Sequence, residues 1–327
     1  MTERGGFLIG IDVGGTKIAG VAVDAGSGQL RAERRQPLDG APLERQVAAV
    51  ARDLIETVGD GRAAAIGIAV PGLVDAGTGI MRLAVNVDAG ELAIGPLVAD
   101  ALGVPCFVEH DARAAALWLV DRDGAEGSLA YLSVGTGISA AVVIGGRLVR
   151  GVSGLAGEIG HTHASDDGPA CPCGLRGCLE IMAAGPAVAR MATEGLARGE
   201  VSSLAPGASP EEVYAAAADG DVLGTAIAEG VGVQLARAIR TIVLLYGVDR
   251  VVIGGGMSRA GAPFLRPILD ELDREKAASP LIAHAFTPNR VELLPPESNP
   301  GPWGAIVVAR SGLGGAAAAP EREVADE

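Results

Sequence analysis

Twice this chain runs an apolar strand pattern into a glycine turn and returns as a second apolar run. The first copy is FLIGIDVGGTKIAGVAVD and the second is SLAYLSVGTGISAAVVIGGRLVRG. A glycine pair between apolar runs is a hairpin signal, because such turns need backbone angles that a Cβ obstructs. Two hairpins of one design, far apart in the sequence, predict a duplicated architecture with one copy per lobe. The interval is too long for a solenoid repeat. At 327 residues the chain has room for two domains with cores that need no disulfide staples.

The segments around the hairpins alternate. LERQVAAVARDLIETVG has helical periodicity and stops at Gly59, and AAAIGIAV reads as a buried strand ended by Pro71 and Gly72. PLVADALG reads as a short helix, VPCFVE as a strand, and ARAAALWLVD as a helix opening just after Asp111. The second half is more helical. SPEEVYAAAADGD opens with Ser209 as N-cap, Pro210 in the first turn and two glutamates at the positive helix end. A long helix then ends near Gly247, DRVVIGGG is a strand entering a glycine turn, and PFLRPILDELDREKA and WGAIVVARSGLG read as helices. This alternation predicts an α/β class. The expected domains are residues 1–120, with a helix at about 300–313 packing back on them, and residues 121–299. Residues 314–327, Ala-rich and then charged, are expected to be a disordered tail.

A formal charge of −14 offers no basic footprint for a nucleic-acid backbone. The N-terminal MTERGG enters a strand pattern without the basic and apolar regions of a secretory signal. The nearest approach to a membrane span, AIRTIVLLYGVDRVVIGGG, is broken by Arg240, Gly247, Asp249 and Arg250. The expectation is a soluble, cytoplasmic protein with neither a nucleic-acid nor a membrane partner. In that compartment a tight cysteine cluster reads as metal-binding rather than disulfide-bonded.

Such a cluster exists. GEIGHTHASDDGPACPCGLRGC places Cys171, Cys173 and Cys178 in a C-x-C-x4-C spacing, with His161 and His163 upstream. Three thiolates and one imidazole, from either histidine, fill a tetrahedral zinc site and leave no open position for water, so the site is structural. Gly174 and Gly177 supply the tight turns that this spacing demands. Cys106 stands apart in a strand and reads as buried core.

Taken together, IDVGGTK, VPGLVD, GTGISAAVVIGGRLVRGVSGLAGEIGH, CPCGLRGCLE and VVIGGG resemble the ROK family of repressors, open reading frames and kinases, from about Phe7 to Ala309. The resemblance implies an α/β, two-lobed actin/hexokinase-like (ribonuclease H-like) fold with duplicated sheet domains. Repressors of this family carry a helix-turn-helix domain ahead of the first phosphate hairpin. Asp12 lies too near the start for one, so a sugar kinase is expected. Its implied cofactors are ATP, Mg²⁺ and a structural Zn²⁺, its partners a hexose and a second copy or more of itself, as dimer or tetramer. The phosphate turns are Gly14, Gly15, Thr16 and Lys17, and Gly135, Thr136 and Gly137, where backbone N–H groups can approach phosphate oxygens. Asp12 would hold Mg²⁺ through water. Gly254, Gly255 and Gly256 match the adenosine-side turn. No G-x4-GK[ST] loop is present. Asp111 matches the base that takes the proton from the sugar's 6-hydroxyl, at a helix N-terminus that favours negative charge. Gly72, Asn86, His110, Glu158, His161 and Glu180 fall on the sugar side. The resemblance also selects His161 over His163 as zinc ligand, with its other ring face toward the sugar.

Three positions depart from the family pattern. Its usual Glu-Asn-Asp is Glu109-His110-Asp111 here, Arg113 stands where Asn is common, and Ala89 replaces the Trp expected after Asn86. The edits lie on the sugar side while the phosphate and zinc elements are intact. They point either to retained glucose or to a hexose altered near carbon 3, such as the 3-amino sugar kanosamine. A competing reading from another class is a regulatory protein that senses a hexose without phosphorylating it. Polyphosphate as donor is disfavoured, since relatives that use it generally lack this zinc motif.

Overall fold

The computed structural model describes residues 6–83, 91–124 and 127–316. The chain forms two α/β units, one running through Gly124 and resuming at Asn299, the other spanning Ala125–Ser298.

The first unit contains β1 (Phe7–Val13), β2 (Lys17–Asp24), β3 (Leu30–Pro37), α1 (Leu43–Val58), β4 (Ala63–Val70), β5 (Leu73–Asp75), β6 (Ile80–Leu83), α2 (Ile94–Leu102), β7 (Cys106–His110) and α3 (Asp111–Asp123). Its sheet has the order β3-β2-β1-β4-β7, and β5 with β6 forms a separate small hairpin. β1, β2 and β3 pair antiparallel, while β4 and β7 continue parallel to β1. Period-two alternation sends Phe7, Ile9, Ile11 and Val13 into one core, with Val47, Val50 and Leu54 of α1. Leu8, Gly10 and Asp12 therefore share the opposite face.

The second unit contains β8 (Leu129–Val134), β9 (Ile138–Ile144), β10 (Arg147–Leu148), α4 (Leu179–Ala183), α5 (Gly185–Ala197), α6 (Pro210–Ala218), α7 (Val222–Tyr246), β11 (Arg250–Gly254), α8 (Ala262–Ala278), α9 (Pro280–Ala285) and β12 (Val291–Leu293). Its sheet order is β10-β9-β8-β11-β12, the first sheet's plan again, with the same antiparallel and parallel pairings. The two hairpins of one design thus open two sheets of one topology. Ser209 caps α6 in a capping box: its hydroxyl accepts from the Glu212 N–H while Glu212 accepts from the Ser209 N–H. The last helix, α10 (Pro300–Ala316), belongs to the first unit and lies on the Leu8 face of its sheet, through Ile306 and Ala309.

Several elements differ from the sequence reading. LRAERRQP carries no apolar alternation, yet it forms β3, because an edge strand needs backbone pairing on one side only, and its charges deter further pairing there. α3 begins at Asp111 itself, with His110 in the capping position. α10 continues through Ala316, so residues 314–316 are helical rather than tail, and residues 317–327 lie outside the described residues. Cys106 is half-buried, not fully buried, and burial still pushes its thiol up to about 12. α7 is long and apolar enough by composition to span a membrane, a property that the sequence pattern did not single out. Leu235, Ile239 and Ile242 are among its residues buried in the second unit's core, which accounts for the apolarity.

Candidate functional site

In the first unit, polar groups collect where the parallel strands β1, β4 and β7 end, the usual ligand edge of an α/β sheet. Asp12 is in register with Ala69, and Ala69 with Glu109, so these positions form one row across the sheet. One residue further along β7 is His110, and then Asp111 opens α3. Asp111 Oδ1 accepts a hydrogen bond from the Ala112 N–H at 2.6 Å. The buried His110 places Nδ1 3.3 Å from that same oxygen. Glu109 accepts from the backbone N–H of His110 at 3.0 Å and pairs with Arg113 at 3.4 Å, one helical turn on. Glu109 and Arg113 are 1% and 2% exposed, so the pair is a buried one in which each charge depends on the other. Sequence reasoning missed this pair. A Glu-x-x-x-Arg spacing across the strand–helix junction is its only trace there. Arg113, expected on the sugar side, is buried against Glu109.

Asp12 is half-buried at the end of β1. Burial pushes its carboxyl up to about 7, the neighbouring Asp111 charge adds to the rise, and Lys17 partly offsets it. The folded value lies above the ordinary 3.8, so ionising Asp12 costs stability as pH rises through that interval. Asp12→Asn is therefore expected to stabilise the metal- and nucleotide-free protein at pH 8 and to give no such gain at pH 4. A tenfold change in an ionisation constant is worth about 1.4 kcal/mol, so the gain is at most a few kcal/mol. Urea midpoints of both proteins at the two pH values check this; parallel pH dependences would contradict it.

The turn after Asp12 is closed by the Gly14 N–H donating to the Lys17 carbonyl at 2.9 Å, and Gly15, Thr16 and Lys17 are exposed. Gly72 follows Pro71 with φ of 85°, a left-handed turn that leads from β4 into β5. Asn86 and Ala89 lie outside the described residues.

The second unit brings its own glycine turns together. The Gly135 N–H donates to the Gly137 carbonyl, the Gly185 N–H at the start of α5 donates to the Gly135 carbonyl, and Gly256 abuts Gly135. Gly254 has no room for a side chain because the Tyr131 ring occupies that space, and Gly255, at φ of 86°, lies against the Val134 backbone. Thr136 sits at the tip between Gly135 and Gly137.

The cysteine loop lies elsewhere in this unit. The ligand atoms of His161, Cys171, Cys173 and Cys178 all lie within 4.8 Å of one another. Cys173 Sγ and Cys178 Sγ are 3.6 Å apart, and Cys171 Sγ is 3.8 Å from His161 Nδ1. Tetrahedral zinc bonds of about 2.3 Å to sulfur and 2.0 Å to nitrogen place ligand atoms roughly 3.5–3.8 Å apart, so the donor set fits that ion. His163 is not in the group; its exposed ring meets Asp166 at 3.0 Å. Without a cation, burial raises the Cys171 thiol and pushes Cys178 up to about 12, while the Leu175 N–H lowers Cys173. A divalent cation reverses that cost by stabilising all three thiolates.

The cluster's flanks carry the remaining site residues. Glu158 precedes the 3-10 turn Ile159–His161, and Glu180 sits on α4 just after Cys178. Turn and helix pack on each other and on β9. Glu180 Oε2 accepts from the Ile138 N–H at 2.9 Å. A largely apolar cavity of about 270 Å³ opens beside Glu158 and Thr162 and contains none of the glycine-turn residues.

Known proteins resemble this chain in sequence and fold. The ROK family model matches residues 8–291. A glucokinase of Thermotoga maritima is 31% identical over 94% of this chain and 98% of its own length. An N-acetylmannosamine kinase of Escherichia coli O1:K1 is 34% identical over 83% of this chain and 89% of its own. Among solved structures, a ROK family glucokinase from Streptomyces griseus, in complex with glucose and AMPPNP, superposes with a TM-score of 0.77 at 28% identity, covering 94% of this chain and all of that one. With a family model matched over most of its length, and the duplicated sheets and glycine turns described above, this chain belongs to the ROK family.

Proposed function

We propose that this ROK-family sugar kinase transfers the terminal phosphoryl group of ATP to the 6-hydroxyl of a hexose, with Asp111 as general base. The observation that carries the reading is the collection of Asp12, Asp111 and the Gly14–Lys17 turn at one strand edge of the first unit. Phosphoryl transfer asks mainly for positioning and charge neutralisation. The glycine turns, exposed at Gly15–Lys17 and at Thr136, suit the phosphates: Gly14, Gly15, Thr16 and Lys17 in one unit, Gly135, Thr136 and Gly137 in the other. Gly254, Gly255 and Gly256 would take the adenosine side. Asp12 would hold Mg²⁺, whose charge offsets that of the phosphate oxygens when bound. Asp111 then accepts the proton of the 6-hydroxyl as its oxygen attacks phosphorus.

Gly72, Asn86, His110, Glu158, His161 and Glu180 would bind the sugar. Zinc held by His161, Cys171, Cys173 and Cys178 would fix the loop between Glu158 and Glu180. A polar pocket set in advance loses less entropy on binding and rejects wrong isomers by leaving its own groups unpaired. A cytoplasmic setting suits three reduced thiols. A coupled ADP-release assay over a hexose panel tests the reading. Hexose binding without ADP release would instead make the chain a sensor.

One observation favours a second reading of the substrate. His110 stands where the family commonly has Asn, buried beside the Asp111 carboxylate, which suits a cationic group, while the Glu109 charge is matched by Arg113. A hexose with an amino group at carbon 3, such as kanosamine, would supply one. Rates on glucose, mannose, N-acetylated hexosamines and kanosamine are expected to differ by tenfold or more in favour of the amino sugar. Clear preference for glucose would retire this reading.

A further inference from the structure

The face of the first sheet that takes α10 is apolar through Leu8, Val21 and Val23, but it lacks side chains at Gly10 and Gly67, where the helix passes closest. A methyl group on Gly10 would lie 2.8 Å from the Ile306 nitrogen, and one on Gly67 would lie 2.9 Å from the Ala309 nitrogen. On the helix side, a methyl on Gly304 would lie 3.0 Å from the Ala115 nitrogen of α3, and one on Gly312 would be 2.5 Å from the Phe107 ring. Such distances leave no room for a side chain, so at Gly10, Gly67 and Gly304 the helix rests backbone to backbone on its neighbours, and at Gly312 its backbone rests on the Phe107 ring. Gly10 and Asp12 point to this same face of β1, because they are two residues apart. The lane of small residues under α10 therefore ends on a carboxylate.

The helix meets that carboxylate with its own glycine. A methyl on Gly301 would fall 2.5 Å from Oδ2 and 2.8 Å from Oδ1 of Asp12, and closer still to Cγ. Among the described residues of α10, no other glycine touches Asp12 in this way. We infer that Gly301 is a positioning residue for Asp12, closing one side of its carboxylate and holding the single rotamer in which it serves the cation. The inference rests on the reading of Asp12 as the magnesium-holding residue. With a side chain at position 301, either Asp12 rotates away or the first turn of α10 lifts. The first moves the carboxylate relative to the Gly14–Lys17 turn that follows it on the chain, and the second removes the wall that holds its rotamer.

The alternative is that Gly301, like Gly312, only lets α10 dock. Two measurements separate these. First, Mn²⁺ binding in the presence of a non-hydrolysable ATP analogue is followed by electron paramagnetic resonance, without turnover. Gly301→Ala is expected to weaken it at least tenfold, and to lower kcat more than it changes KM for the sugar. Gly312→Ala is expected to lower the thermal midpoint but leave Mn²⁺ binding within twofold of wild type. Second, the loss of thermal midpoint caused by Gly301→Ala is compared in wild type and in an Asp12→Ala background, where the new methyl finds the space the carboxylate left. The loss should largely vanish in that background, and this arm stays readable even if Gly301→Ala folds poorly on its own. Wild-type Mn²⁺ binding in Gly301→Ala, equal weakening by Gly312→Ala, or the same midpoint loss in both backgrounds would overturn the inference. A wild-type protein that binds no Mn²⁺ with the analogue would overturn the kinase reading itself.

Discussion

Replacing Asp111 with Asn is expected to lower turnover by a factor of about 10²–10⁴ while the fold and hexose affinity persist, the range typical for loss of a general base. The carboxamide has the same shape. Its oxygen can still accept from the Ala112 N–H, and the His110 ring keeps a polar neighbour. What disappears is the ability to take a proton. The substitution also removes a negative charge that raises the Asp12 carboxyl, so cation binding at Asp12 should hold or improve. That separates a chemical defect from a binding defect. Calorimetric titration with the preferred hexose, beside steady-state rates, checks both. Turnover within a few-fold of wild type would remove Asp111 from the chemistry, and loss of hexose binding would make it a binding residue instead.

If the cysteine loop holds zinc as proposed, removing that metal should have the second large effect. Structural zinc binding contributes on the order of 10 kcal/mol in small domains, most of it expressed as ordering of the chain around the ion. Here the chain from His161 to Cys178 is irregular apart from short bridges, such as that between Ala170 and Arg176. Without a cation its three thiols are held together only by a weak Cys173–Cys178 contact, and burial is the main cause that raises Cys171 and Cys178. Cys178→Ser is therefore expected to lose the metal, raise KM for the hexose tenfold or more, and lower the thermal midpoint, with nucleotide binding much less affected. Cys106→Ser, away from the loop, should retain one zinc per chain and near-normal kinetics. Elemental analysis, melting curves and sugar titrations provide the measurements. A metal-free protein with unchanged sugar affinity would show that the loop orders itself without help.

Much of this is readable from short stretches of chain. The hairpins at Gly14 and Gly135, the helix stops at Gly59 and Gly247, and the cap at Ser209 all depend on a few neighbouring backbone angles. The cysteine spacing likewise names the loop and its chemistry. Where local pattern is weak, sequence reasoning fails. β3 has no apolar face of its own, and α10 runs a few residues past the helix expected at about 300–313, because Gly314 and Gly315 lower helical propensity there.

By itself, then, the sequence determined the duplicated α/β plan, the glycine turns and the clustering of three cysteines in one loop, because period, turn angles and spacing are local properties. Spacing left His161 and His163 open and the family resemblance favoured His161, which the fold brings to the thiols; tertiary structure alone decided that Arg113 is buried on Glu109 and that Gly301 closes on Asp12 from the far end of the chain. Those are contacts between residues brought together by packing, and no local preference encodes which of several possible partners a folded core will bring within reach.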